Sequence, residues 1–315
     1  MARRRRIFSH PSFTIPPPDF LIIGAMKAGT TALYEALAGH PQVFMSPVKE
    51  PNFFAFPEEP PRFTAPIDRR PGGVNRASVT DPEAYRVLFD GAAPGQVTGE
   101  ASHWYLYWPA APANIAERAP EGVKLIAVLR DPVERAYSEF LHFVRDGEEP
   151  ITDFRAALDA EPERIERGWA MGRYADRGFY GRQLARYVER FDSAQLRVVL
   201  HEDFRETPEA VLRDLFLFLG VDPSFEPKAP ERRVNKSGVP RSRVVQQAFR
   251  GAQAVAEQVR PLLPEWLLDG AARLKNRNLD KPPMPPGARA RLADTYRDDV
   301  RQLETLIDRN LSDWL

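Results

Sequence analysis

Phe20-Leu21-Ile22-Ile23-Gly24-Ala25-Met26-Lys27-Ala28-Gly29-Thr30-Thr31 is the stretch that decides the fold. Its first four residues are an unbroken apolar run, the pattern of a strand buried on both faces. Gly24 ends the run. From Ala28 to Ala38 the pattern is helical, and Gly39 and Pro41 stop it. A turn rich in small residues therefore joins a buried strand to a helix. Backbone N–H groups without intrahelical partners gather at such a helix start, which suits an anion.

Outward from this stretch, strands and helices alternate. Gln96–Gly99 reads as a short strand, Val123–Leu129 as a second strongly apolar one and Leu196–Leu200 as a third. Helices are expected at Pro132–Val144, 152–160, 178–191, Pro208–Leu219 and 287–308. Thr80-Asp81-Pro82-Glu83 opens another, with a capping pattern and proline in its first turn. The alternation predicts an α/β fold, a single domain with a central, mostly parallel sheet flanked by helices and a P-loop-like nucleotide site. Residues 57–80, rich in Pro, Gly and Arg, are expected to form a long surface loop, and 226–242 a polar one. Pro16-Pro17-Pro18 separates residues 1–18, read as a basic disordered tail, from the domain at 19–315. After Arg3–Arg6, the polar residues and Pro11 interrupt the apolar segment of about 7–15 residues that an export signal needs.

The bulk composition narrows the partners. Lysine and arginine together number 44 and so do aspartate and glutamate, giving a formal charge of zero among 315 residues. Global charge thus calls for neither nucleic acid nor membrane, and anions must be held by locally placed basic groups. No run approaches the roughly 20 apolar residues of a membrane span. The chain has no cysteine and five scattered histidines. Disulfides and thiolate metal sites are excluded, no metal is expected, and a reducing, cytoplasmic setting fits.

Two motifs carry the chemistry. Gly24, Gly29 and Thr31 match the nucleotide loop Gly-x-x-x-x-Gly-Lys-Ser/Thr, but Thr30 takes the lysine position and the lysine stands earlier, at Lys27. The second apolar strand ends in Arg130, a cation where a metal-assisted site would want a carboxylate. An anionic nucleotide without metal fits that pair. Arg130, at the carboxyl end of a strand, is placed to grip a phosphate, and Ser138 in the following helix can donate a hydroxyl. The plainer reading pairs Arg130 with Asp131 or Glu134 and lets Ser138 pack.

Taken together, Lys27-Ala28-Gly29-Thr30-Thr31 and Arg130-Asp131-Pro132-Val133-Glu134-Arg135-Ala136-Tyr137-Ser138 resemble the two signatures of the sulfotransferase family. These bind the 5′-phosphosulfate and the 3′-phosphate of 3′-phosphoadenosine 5′-phosphosulfate (PAPS). Arg177-Gly178-Phe179-Tyr180 is similar to the segment that approaches the adenine. Asn235-Lys236-Ser237-Gly238-Val239-Pro240-Arg241 resembles the late loop over the 3′-phosphate, implying nucleotide contacts from Lys236, Ser237 and Gly238. The resemblance runs from Asp19 to Leu315 and is nearest in character to bacterial and heparan-sulfate-type members.

It implies an acceptor side as well. Lys49-Glu50-Pro51-Asn52-Phe53-Phe54 resembles the segment whose glutamate is the general base in heparan-type enzymes, so Glu50 is the first candidate base. The plainer reading pairs Glu50 with Lys49. Gly99-Glu100-Ala101-Ser102-His103-Trp104-Tyr105 is similar to a segment in which Glu100, Ser102 and Trp104 would meet the acceptor. Ala101 departs from a common lysine and His103 from a common proline, so His103 is a second candidate base. Trp104, Tyr105, Tyr107 and Trp108 form an aromatic cluster suited to a sugar face or a flat ring, or simply to a core. The expected reaction is sulfuryl transfer to a hydroxyl or amine. A P-loop kinase or nucleotide hydrolase, and a non-catalytic binder of 3′-phosphoadenosine nucleotides, are the alternatives.

Overall fold

The computed structural model describes residues 18–70, 72–226, 239–240 and 279–315. They gather into two compact units. The first draws on residues 18–62, 74–129 and 182–226, the second on 63–70, 72–73, 130–181, 239–240 and 279–315. Expectations for the basic tail and for Lys236, Ser237 and Gly238 lie outside the described residues.

The first unit holds a five-stranded sheet, parallel throughout. Its strands are β1 (Phe20–Gly24), β2 (Val43–Met45), β3 (Val97–Ala101), β4 (Lys124–Leu129) and β5 (Leu196–Leu200), in the order β2-β3-β1-β4-β5. All of β1 is buried, as its continuous apolar run requires of a central parallel strand. Register is set by a polar clamp at its start: the N–H and hydroxyl of Thr98 donate to Asp19 Oδ2 at 2.7 and 2.8 Å. Opposite Phe20 stands Gly99, and a Cβ there would meet the Phe20 ring at 2.2 Å. Helix α1 (Thr30–Ala38) packs on β1, β2 and β3, and the Pro208–Leu219 helix on β5. The Pro208–Leu219 helix ends at Gly220 in the left-handed conformation, a common helix stop.

From β1 the chain first builds β2 and β3 on one side, then crosses to β4 and β5 on the other. The carboxyl ends of β1 and β4 therefore flank the switch point, where open α/β sheets bind ligands.

The second unit is built on the Pro132–Asp146 helix, capped by Asp131, whose Oδ1 accepts from Val133 N at 2.8 Å and Glu134 N at 3.2 Å. Rings of Tyr137, Phe140, Phe154 and Tyr174 pack beside it. Glu139 bridges two arginines in this interior: Arg135 Nη1 at 2.6 Å and Arg177 Nη1 at 3.0 Å. The Pro286–Ile307 helix anchors the chain near Tyr180, with Asp299 Oδ2 accepting from Gly181 N at 2.8 Å.

The 57–80 stretch corrects the expectation of a featureless surface loop. It contains one-turn helices at Pro66–Arg69 and Val74–Ala77, and Phe63, Ala65 and Asp68 are buried. Asp68 Oδ2 accepts the Ala170 N–H at 3.0 Å. Single turns carry too little periodicity to be recognised in sequence.

Candidate functional site

Gly24–Thr31 leaves β1 at the switch point. Its strand ladder continues one residue further, Ala25 N donating to Val128 O at 2.7 Å. Lys27 and Gly29 both have positive φ, 63° and 106°, so the turn curls back on itself before α1 starts. Gly29 occupies the position before the helix, without a side-chain cap, and no acidic residue stands in the first turn of α1. The Pro132–Asp146 helix differs, because Asp131 already occupies its start. The first N–H groups of α1 thus have neither an intrahelical acceptor nor a capping side chain. His201, directly after β5, comes close: its Cδ2 lies 3.2 Å from where a Gly29 Cβ would stand. Nothing in the sequence singled out His201, since β5 precedes it at long range.

Arg130 follows β4 directly. Its Nη2 lies 3.5 Å from Glu134 Oε2, and Lys281 Nζ lies 3.5 Å from the same oxygen. Arg289 pairs with the other oxygen of Glu134 and stands 3.6 Å from Asp131 Oδ2. The pairing of Arg130 with Glu134, the plainer of the two sequence readings, is thus present. Ser138 lies on the same helix and is buried. Tyr180 is buried too, and its hydroxyl has no hydrogen-bond partner. Burial pushes that hydroxyl well above the ordinary tyrosine range in the field of Arg135, Asp131 and Arg130, so it is a neutral donor at any working pH.

In the first unit, the Lys49–Phe56 segment and the end of β3 meet. His103 Nδ1 stands 3.1 Å and Lys49 Nζ 2.9 Å from Glu50 Oε1. The two candidate bases are therefore one interacting pair, and the Lys49 partner foreseen in the plainer reading is also there. Burial pushes the Glu50 carboxyl up, but His103 and Lys49 outweigh it and hold it well below the usual carboxylate range. Glu50 has φ 64° and Asn52 φ 57°, so two residues other than glycine adopt left-handed backbone around Pro51. Such a loop persists when its surroundings over-determine it.

Glu100 and Ser102 are fully buried. Burial pushes the Glu100 carboxyl up to about 7, against the hydrogen bonds that it accepts from Tyr105, Ser102 and Tyr85. Trp104 and Tyr105 are buried as well, whereas Tyr107 and Trp108 are partly exposed. Phe56 joins the cluster, with ring centroids 5.5 Å from Trp104 and 5.1 Å from Trp108. Among the described residues, no group of three or more His, Asp or Glu side chains is arranged to hold a metal. No helix among them is long and apolar enough to cross a membrane.

Comparison with known proteins gives these features a family. A family model described as Sulfotransferase family matches residues 18–227. The crystal structure of a sulfotransferase from Alicyclobacillus acidocaldarius superposes with a TM-score of 0.74 at 32% identity, covering 95% of this chain and 99% of that one. The mouse bifunctional heparan sulfate N-deacetylase/N-sulfotransferase 3 is 28% identical over 327 residues, 99% of this chain and 33% of that protein. Mouse carbohydrate sulfotransferase 15 is 25% identical over 260 residues, 66% of this chain and 45% of that protein. The chain thus spans a third to under half of the length of these curated relatives.

Proposed function

Because this chain belongs to the sulfotransferase family, we propose that it transfers a sulfuryl group from PAPS to a hydroxyl or amine, within one domain spanning 19–315 and without a metal ion. The observation that carries this reading is the start of α1: an uncapped helix entered through the positive-φ turn Lys27–Gly29, at the switch point of a parallel sheet. It is a P-loop-like anion site in which the lysine precedes the glycine.

The resemblance of the two motifs implies a nucleotide that carries phosphate at both ends. Lys27, Ala28, Gly29, Thr30 and Thr31 would hold the 5′ end, and Arg130, Ser138 and the late-loop Lys236, Ser237 and Gly238 the 3′-phosphate. Tyr180 supplies an unpartnered hydroxyl on the adenine segment. The bound donor supplies an activated sulfuryl group on a phosphate leaving group. Lys27 and the α1 N–H groups neutralise charge on the leaving oxygen, so catalysis rests on positioning and electrostatics.

On the acceptor side, Glu50 takes the proton. His103 and Lys49 both approach Oε1, which assigns Oε2 to the acceptor. A depressed carboxylate is a weak base that is always ionised, so geometry must supply what basicity does not. A second reading has a specific observation in its favour. The 3.1 Å contact between His103 Nδ1 and Glu50 also matches a carboxylate orienting an imidazole, whose other nitrogen would then be the base. Partly exposed Tyr107 and Trp108 suit a sugar face or a flat ring, and Trp104 lies behind them. Burial of Glu100 and Ser102 favours support of the site over contact with the acceptor.

Likeness to the Alicyclobacillus enzyme and to the glycan-modifying relatives supports placement in the bacterial and heparan-sulfate-type branch, with a carbohydrate or a small metabolite as acceptor. The absence of cysteine fits work in a reducing cytoplasm. The test is incubation with sulfur-labelled PAPS against a panel of sugars, amino sugars and phenols. Label appearing on an acceptor supports the proposal. Tight nucleotide binding with no transfer to any acceptor, and no slow hydrolysis of PAPS, leaves the non-catalytic binder.

A further inference from the structure

Glu100 is the last but one residue of β3, and it sits at the centre of a buried hydrogen-bond fan. Its Oε2 accepts the Ser102 hydroxyl at 2.9 Å. Its Oε1 accepts the hydroxyls of Tyr85 at 3.2 Å and Tyr105 at 2.5 Å. Two of these hydroxyls are used twice. Ser102 Oγ also accepts the N–H of Asn52 at 3.0 Å, and Tyr105 Oη accepts the N–H of Phe54 at 3.4 Å. Two relays thus run from one carboxylate, through a hydroxyl each, to backbone N–H groups that lie two and four residues beyond Glu50. A third tie joins the same elements: Glu50 N donates to Ala101 O at 2.9 Å.

The loop being held is the one that needs holding. Glu50 and Asn52 both adopt left-handed backbone, which asparagine tolerates but glutamate takes only rarely. An ordinary loop with this backbone would relax and swing the Glu50 side chain away from its place. Resting on the assignment of Glu50 as the acceptor's base, we infer that Glu100 is its positioning residue, a buried carboxylate that fixes the Glu50 loop through Ser102 and Tyr105 and never touches the acceptor.

The chemistry of the fan makes this position sensitive to protonation. All three side chains that reach Glu100 are donors to it: Tyr85, Tyr105 and Ser102. An ionised carboxylate accepts all three at once. When it gains a proton, one donor must reverse and the relay through that hydroxyl is disturbed. Burial raises the Glu100 carboxyl to about 7, and the charge of nearby Glu50 raises it further. The fan is therefore complete above neutrality and loosens as pH falls through about 7. That dependence belongs to Glu100 and separates it from a residue that merely fills the core.

The experiment follows the backbone amides of Asn52 and Phe54 by NMR during a pH titration, using the wild-type chain, Glu100→Gln and Glu50→Gln. The expected result is a joint shift of both amides with a midpoint near 7 in the wild type. It persists in Glu50→Gln and vanishes in Glu100→Gln. Amides that stay silent across neutrality in the wild type, or that still titrate in Glu100→Gln, overturn the inference. Turnover with labelled PAPS and the acceptor that the panel identifies gives the functional arm. Glu100→Gln is expected to lower kcat by about 10- to 100-fold through misplacement of Glu50, with affinity for 3′-phosphoadenosine 5′-phosphate unchanged. Ser102→Ala, which cuts one relay, should lower kcat less. Equal loss of nucleotide affinity and kcat, or an unaltered kcat, contradicts a positioning role. Failure of the base assignment looks different: Glu50→Gln then keeps full turnover, while the two amides still report the Glu100 titration.

Discussion

His103 Nδ1 lies 3.1 Å from Glu50 Oε1, so the two candidate bases share one hydrogen bond. Neither can be altered without changing the other. A carboxylate flanked by an imidazole and the Lys49 ammonium is kept ionised, and an imidazole facing a carboxylate has its ring orientation fixed.

Substitution separates the pair. Glu50→Gln keeps the size of the side chain but removes its capacity to accept a proton, and turnover is expected to fall by about 10²–10⁴-fold. Affinity for the nucleotide should be unchanged. His103→Gln should cost much less. Full turnover in Glu50→Gln together with inactivity in His103→Gln assigns proton transfer to His103.

The pH profile gives a second separation. A base works only when deprotonated, so activity falls as pH drops through its pKa. Glu50 is held below the ordinary carboxylate range, and its acidic limb must lie below about 4.3. In His103→Gln one of the two groups lowering it is gone, and that limb should move up towards the ordinary value. A histidine base instead gives an acidic limb that disappears in His103→Gln. Loosening of the Glu100 fan as pH falls through about 7 adds an acidic limb of its own, which survives that substitution and disappears in Glu100→Gln.

Much of the architecture was legible in the sequence because its strongest signals are local. The β1 run, Gly24, the start of α1 and the β4–Arg130 boundary each follow from a few neighbouring residues. Three-residue β2 and the single turns at Pro66–Arg69 and Val74–Ala77 were not, since none is long enough to show a period. The same division holds at the site. Glu50, His103 and Lys49 were all recognised, but their meeting joins segments about fifty residues apart. Tyr85 and Asn52 had no signal at all, because their parts are played through the buried Glu100 fan. Glu100 and Ser102 were expected to meet the acceptor; their burial, set by distant segments, could not be read locally.

Lys27 is proposed to act on the leaving group and not on the acceptor. Lys27→Ala should lower kcat strongly while changing affinity for the desulfated nucleotide by a smaller factor, because charge on the leaving oxygen develops only during transfer. Single-turnover rates beside equilibrium titrations check this. A parallel loss of both makes Lys27 a binding group only.

Arg130 follows β4, and in the proposed site it stands where a metal-assisted nucleotide site would want a carboxylate. A chelator such as EDTA should therefore leave transfer intact. Activity lost with EDTA and restored by Mg²⁺ contradicts this arrangement.

Arg130 and Ser138 are proposed to form a second phosphate position for the nucleotide, and isothermal calorimetry tests it without knowledge of the acceptor. 3′-Phosphoadenosine 5′-phosphate should bind far more tightly than AMP or ATP. Arg130→Ala should weaken the bisphosphate by about 1.5–3 kcal/mol, roughly 10- to 150-fold, and leave AMP unaffected. Equal affinity for AMP and the bisphosphate in the wild-type protein would contradict it.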